Sequence, residues 1–145
     1  MKMVVQRVTR AAVRVGGETV GSIDHGFLVL VGLERADDVG DVEKAARRLS
    51  TLRVFEDDAG KMNRGLDEVG GEVLAVSQFT LAGSIRKGRR PSFEGAMPGE
   101  QAEPLFNRFV QLLRDCGIAV STGVFGAMME VELINEGPVT FIYEC

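Results

Sequence analysis

The stretch that most constrains the fold is MVVQRVTRAAVRV (3–15), thirteen residues that alternate apolar and polar side chains. Side chains on a strand point to opposite faces with a period of two, so this pattern predicts one long half-buried strand. Gly16–Gly17 turns the chain into ETVGSI (18–23), and DHG (24–26) turns it again into FLVLVGL (27–33), a continuous apolar run suited to a buried strand. The first third is therefore expected to be an antiparallel meander.

Further on the period changes. Val42, Ala45, Ala46, Leu49 and Leu52 recur at helical spacing with Arg47 and Arg48 on the outer face, and Asp37 or Asp38 is placed to cap that helix. RVFEDDAGKMN (53–63) reads as a strand entering an Asp-Ala-Gly hairpin turn. A strong strand is expected over 73–81, then an irregular connection, then an amphipathic helix with Leu105, Phe109, Leu112 and Leu113 on one side, ended by Gly117. Three short strands, in 118–126, 128–135 and 139–145, close the chain. The order β-β-β-α-β-β-α-β-β-β predicts an α+β fold, largely antiparallel, with two main helices packed on one face and residues 1–145 forming one domain.

Composition narrows the function. With 45% hydrophobic and 26% charged residues the chain has material for a core. No run of about 18 apolar residues reads as a membrane span, and the opening residues read as a strand rather than a signal peptide, so a cytoplasmic protein is expected. A single histidine, His25, and two distant cysteines, Cys116 and Cys145, speak against a His-based triad, a zinc site or a disulfide framework. The net charge of −4 argues against a general nucleic-acid coat, yet Arg86, Lys87, Arg89 and Arg90 crowd into one loop that could meet phosphates.

Two stretches carry possible chemistry. SQFTL (77–81) sets three hydrogen-bonding side chains at the end of an apolar strand, which suits either backbone capping or the floor of a pocket. Thr80 would be a nucleophile only with a base, and no base stands beside it in the sequence. INEGPVT (134–140) interrupts a strand pattern with Gly137–Pro138; a turn of several types, including one with a cis bond, accounts for it. The carboxylates Asp57, Asp58, Glu130 and Glu132 read as solvated.

SQFTL and GPVT together, with QRVTRAAVRV, RVFEDDAGKMN, RKGRRPSF, AEPLFNRFV and TGVFGAMMEVELINEGPVT in the same order, resemble the D-aminoacyl-tRNA deacylases along the whole chain. The resemblance implies a hydrolase that cleaves the ester between a D-amino acid, or glycine mischarged on tRNA(Ala), and the terminal adenosine of tRNA. It implies a homodimer with the active site at the interface, and no metal, cofactor or membrane. It assigns Gln78, Phe79 and Thr80 to catalysis, with Ser77 in the same pocket. Gly137, Pro138 and Val139 would reach in from the partner subunit on a cis peptide, which Arg7 helps to hold. Arg86, Lys87, Arg89 and Arg90 become contacts to tRNA. The rival expectations are a non-catalytic tRNA-binding module and a general esterase, the latter disfavoured because the one histidine, His25, suits no triad and no G-x-S-x-G elbow is found.

Overall fold

The computed structural model describes residues 1–86 and 88–145. Its first strand, β1 (Lys2–Val15), realises the alternation and is the spine of the molecule. One edge of β1 pairs antiparallel first with β3 (Gly26–Gly32) and then with β2 (Glu18–Ile23); the other edge pairs with β8 (Glu130–Glu144). Met3 and Val5 face one core, whereas Val8, Ala11 and Val13 face another. The inward set changes from even to odd numbers across a register irregularity between Val8 and Arg10, as a β-bulge requires.

Between β3 and β6 (Glu72–Ser77) lie α1 (Val39–Ser50), a small hairpin of β4 (Phe55–Glu56) and β5 (Met62–Arg64), and the short α2 (Leu66–Val69). Between β6 and β7 (Val120–Thr122) lies α3 (Gly99–Asp115). Both strand pairs, β3 with β6 and β6 with β7, are parallel. The sheet is mixed, and the expectation of a largely antiparallel one is corrected here. The physical reason is that a helical crossover carries the chain back to the end at which the previous strand began, so the next strand runs parallel to it. The continuous apolar runs of β3 and β6 are what strands covered on both faces require.

Phe27, Val29, Val31, Val73 and Ala75 share one cluster with Val42 and Leu49 of α1 and Phe106, Phe109 and Leu113 of α3. Leu28, Leu74 and Val76 point the other way, to Val8, Val13 and Ile23. The sheet curls around this second cluster until β2 meets β7, where the Ser121 hydroxyl donates to the Ser22 carbonyl at 3.0 Å. Gly21 permits that approach: a Cβ there would stand 2.4 Å from the Thr122 carbonyl oxygen.

Local signals set the helix ends. Asp38 caps α1 in a reciprocal box with Asp41. After α3, Gly117 takes φ +81° while its amide donates to the Arg114 carbonyl and that of Ile118 to the Leu113 carbonyl, the paired bonds of a Schellman stop.

Two strand expectations are also corrected. The strand expected over 73–81 stops at Ser77, and Phe79–Ala82 forms a 3-10 turn. The two last strands expected on either side of Gly137–Pro138 are one, β8, with the interruption inside it.

Candidate active site

The end of β6 builds the first half of the site. The Gln78 amide donates to the Val31 carbonyl at 2.7 Å, the last bond to β3, and the chain then winds into the 3-10 turn. Gly32 lets the turn lie against β3, since a Cβ there would be 2.7 Å from that of Leu81. The first N–H groups of a 3-10 turn have no acceptor within it, and among the described residues the amides of Phe79 and Thr80 donate to none elsewhere. Ser77, Gln78 and Phe79 line a cavity of ≈ 530 Å³, walled by Met97, Phe106, Phe125 and Met129. No lining residue is an acid, a histidine, a lysine or an arginine. Thr80 lies outside the cavity lining, and its exposed hydroxyl accepts from the Gln78 side-chain amide.

Gly137 and Pro138 build the second half. Their peptide bond is cis, and both residues are exposed, while Val139 is buried. The register explains the interruption seen in the sequence. Gln6 pairs with Thr140 and Val8 with Asn135, so residues 136–139 bulge opposite the single residue Arg7. Asn135 clasps the bulge, its side-chain amide donating to the carbonyls of Arg7 at 3.0 Å and Val139 at 2.9 Å. The Arg7 side chain, 6% exposed, runs beneath; it donates to the Val54 carbonyl at 2.6 Å and pairs with Glu136 at 3.2 Å and Glu56 at 3.9 Å. His25 Nε2 lies 3.3 Å from the same Glu136 carboxylate.

Within one chain the two halves stay apart. Arg7 is level with Phe27 and Val73, and Met3 with Val31 and Ser77. The bulge on β8 is thus three strand spacings across and four residues along from Ser77, about 14 Å by 13 Å, or roughly 19 Å in all.

The basic loop leaves the cavity rim. Ser84 and Ser92 exchange both backbone hydrogen bonds at its neck, and Arg86, Arg89 and Arg90 are exposed; Lys87 lies outside the described residues. Phe93, just after the neck, stacks at a tilt on Phe79 with centroids 5.0 Å apart. The carboxylates read as solvated have local partners. Asp57 is held below the usual aspartate range first by the Lys61 amide, with Ala59 and Asn63 adding to the effect against some desolvation. Glu132 is held low by Arg14, which donates to it at 2.8 Å. Among the described residues no group of three or more His, Cys, Asp or Glu side chains could hold a metal ion, and no helix is long and apolar enough to cross a membrane.

Sequence reasoning missed the cavity walls, Phe125 and Met129, and the partners of Arg7. Asn135, two residues before Gly137, was the readable signal, since Asn often clasps the backbone beside it.

Comparison with known proteins sharpens the reading. The profile of the family described as D-Tyr-tRNA(Tyr) deacylase matches residues 4–144. The chain is 56% identical to the D-aminoacyl-tRNA deacylase of Symbiobacterium thermophilum, covering 99% of this chain and 95% of that one. It is 57% identical to the D-aminoacyl-tRNA deacylase of Desulfatibacillum aliphaticivorans, covering 99% of each. Among solved structures, one titled c-Myc DNA Unwinding Element Binding Protein superposes with a TM-score of 0.93 at 44% identity, covering 100% of this chain and 99% of the other. A probable eukaryotic D-amino acid tRNA deacylase shares the fold, with a TM-score of 0.82 at 19% identity over 98% and 97% of the two chains.

Proposed function

The chain belongs to the D-Tyr-tRNA(Tyr) deacylase family, and on that premise we propose that two copies of it assemble each active site for the hydrolysis of D-aminoacyl-tRNA. It is a hydrolase of the aminoacyl-tRNA ester bond. Water adds to the ester carbonyl, the bond to the ribose oxygen breaks, and the products are a free D-amino acid and tRNA.

One observation carries the reading: a cavity at the end of β6 whose lining has no titratable side chain, beside the spare backbone amides of Phe79 and Thr80. An aminoacyl ester is already activated, so positioning and charge stabilisation suffice. Ser77 and Gln78 hold the ester, and the amides of Phe79 and Thr80 receive the charge that develops on its oxygen. The neighbouring 2′-hydroxyl of the ribose assists the attack. Thr80 is not the nucleophile, because among the described residues its hydroxyl meets the Gln78 side-chain amide and no base to activate it.

Gly137, Pro138 and Val139 act as the chiral filter. On one carbon, D and L isomers exchange a side chain with a hydrogen, so rigid backbone on one side excludes one hand. Arg7 and Asn135 supply the rigidity from beneath. The roughly 19 Å that separate bulge and cavity in one chain support delivery of the filter by a second copy. Glycine has no side chain to exclude, so glycyl-tRNA mischarged on tRNA(Ala) is a substrate too. Arg86, Arg89 and Arg90, with Lys87, bind phosphates of the acceptor end, and the enzyme works in the cytoplasm without metal or cofactor.

The deciding assay uses one amino acid in both hands on the same tRNA. Release from the D ester alone is the expected result. Equal release from both sinks the chiral filter, and tight binding without release favours a tRNA-binding module.

A further inference from the structure

The Arg7 pocket contains one group that the chemistry above leaves unused, the only histidine in the chain. His25 sits in the turn between β2 and β3 and is fixed from several sides. Its carbonyl accepts from the Glu72 amide at 3.0 Å, and its ring meets Phe55 edge-on with centroids 4.9 Å apart. Gly26, next in the chain, permits this close seat, for a Cβ there would be 1.9 Å from the Glu72 carbonyl oxygen.

From that seat His25 Nε2 reaches Oε2 of Glu136 at 3.3 Å, the oxygen that Arg7 Nε approaches at 3.2 Å. Arg7 Nε is buried and makes no aligned hydrogen bond, so its hold on Glu136 is one of charge, without directional constraint. Glu136 is bonded directly to Gly137. A carboxylate held from one side by charge alone has freedom to slide; a second holder fixes it in direction.

We infer that His25 is a positioning residue for Gly137–Pro138, sharing with Arg7 one carboxylate oxygen of Glu136. The inference rests on the proposed role of that segment as the chiral filter. The imidazole holds Glu136 most firmly when protonated, because a charge-assisted hydrogen bond is about twice as strong as a neutral one. The other charged groups around it are Arg7 on β1, Glu56 on β4, and Asp24 and Glu72 beside the turn, where the Asp24 amide donates to the Glu72 carboxylate at 3.0 Å. The filter is therefore tightest when the imidazole carries its second proton. His25 and Glu136 are both partly exposed, at 42% and 39%. The effect is accordingly a few-fold, the scale of a surface ion pair.

Two readouts test this on the whole protein. In NMR spectra the single imidazole gives an unambiguous signal, and the Gly137 amide should shift with the same midpoint. Glu136→Gln should uncouple the amide from the imidazole. His25→Gln should leave the Gly137 amide flat. A Gly137 amide indifferent to the imidazole in the unaltered protein overturns the inference. The second readout is the ratio of D- to L-ester hydrolysis, corrected for spontaneous hydrolysis. It should fall about two- to fivefold as the imidazole loses its proton, followed in the same spectra, and become independent of pH in His25→Gln. A ratio with the same pH slope in both proteins also overturns it. Absence of D-ester hydrolysis would count against the function proposed for the cavity, while the amide titration still decides whether His25 positions Gly137. His25→Gln alters a half-exposed turn and spares the buried Arg7 pair, so it remains informative if Glu136→Gln fails to fold.

Discussion

Replacing Thr80 by alanine separates a side-chain mechanism from a backbone one. In the structure the Thr80 hydroxyl is exposed and has one partner, the Gln78 side-chain amide. Losing one neutral hydrogen bond costs about 0.5–1.5 kcal/mol. At 1.36 kcal/mol per factor of ten, that is roughly a two- to twelvefold fall in rate. Were the hydroxyl the nucleophile, its removal would cost more than about a thousandfold. The two outcomes differ by some two orders of magnitude, well beyond the error of a single-turnover measurement with D-tyrosyl-tRNA at saturating enzyme. The thermal midpoint of the variant guards against misfolding. The reasoning fails if Thr80→Ala loses more than about a thousandfold in the chemical step, stays folded, and is rescued by Thr80→Ser.

Three further outcomes follow from features already described. Deacylation at subsaturating substrate should weaken with salt, and Gln in place of Arg86, Arg89 and Arg90 should reduce the slope of log K on log salt by about two, at about 0.7 per single-strand phosphate; an unchanged slope removes the loop from the tRNA interface. Gly32→Ala drives a Cβ against Leu81 and the Gln78 carbonyl, so overpacking should cost about 1–3 kcal/mol in urea unfolding and depress kcat, whereas wild-type values for both would show that the 3-10 turn yields freely. Asp57 titrates below the usual 3.8 because the Lys61 amide binds its carboxylate, so its support of the hairpin is full above the unfolded value and lost as pH falls through the lower folded one. Amide exchange at Ala59 and Lys61 should therefore accelerate only in that acid window, and equal acceleration in Asp57→Ala would refute the assignment.

Much of this was readable from residues alone. The alternation of 3–15 announced β1, the spacing of Val42 to Leu49 announced α1, and Gly117 marked the end of α3. The failures have a common cause in contacts between distant parts of the chain. Phe79 and Leu81 look like a continuing strand, and what turns them aside is the Gln78–Val31 bond together with the missing Cβ of Gly32, both on β3. The parallel pairs depend on where α1 and α3 cross, which local periodicity does not encode. At the site, SQFT and GPVT were visible as motifs. The pairing of Arg7 with Glu136 joins residues far apart in sequence and appears only once β1 and β8 are in register. Phe125 and Met129 looked like ordinary strand residues until the cavity gave them a surface to line.

The three-sided pairing of β1 has a consequence for how such a chain tolerates insertion and deletion. A residue gained within Lys2–Val15 would invert the faces of everything beyond it and misalign β2, β3 and β8 together. The same strand is the ruler between bulge and cavity, so even a two-residue slip, which restores the faces, would carry Arg7 about 6–7 Å from its place beneath Gly137. Length variation should be confined to tips such as Asp57–Lys61 and Gly16–Gly17, which lie outside the paired residues of β1.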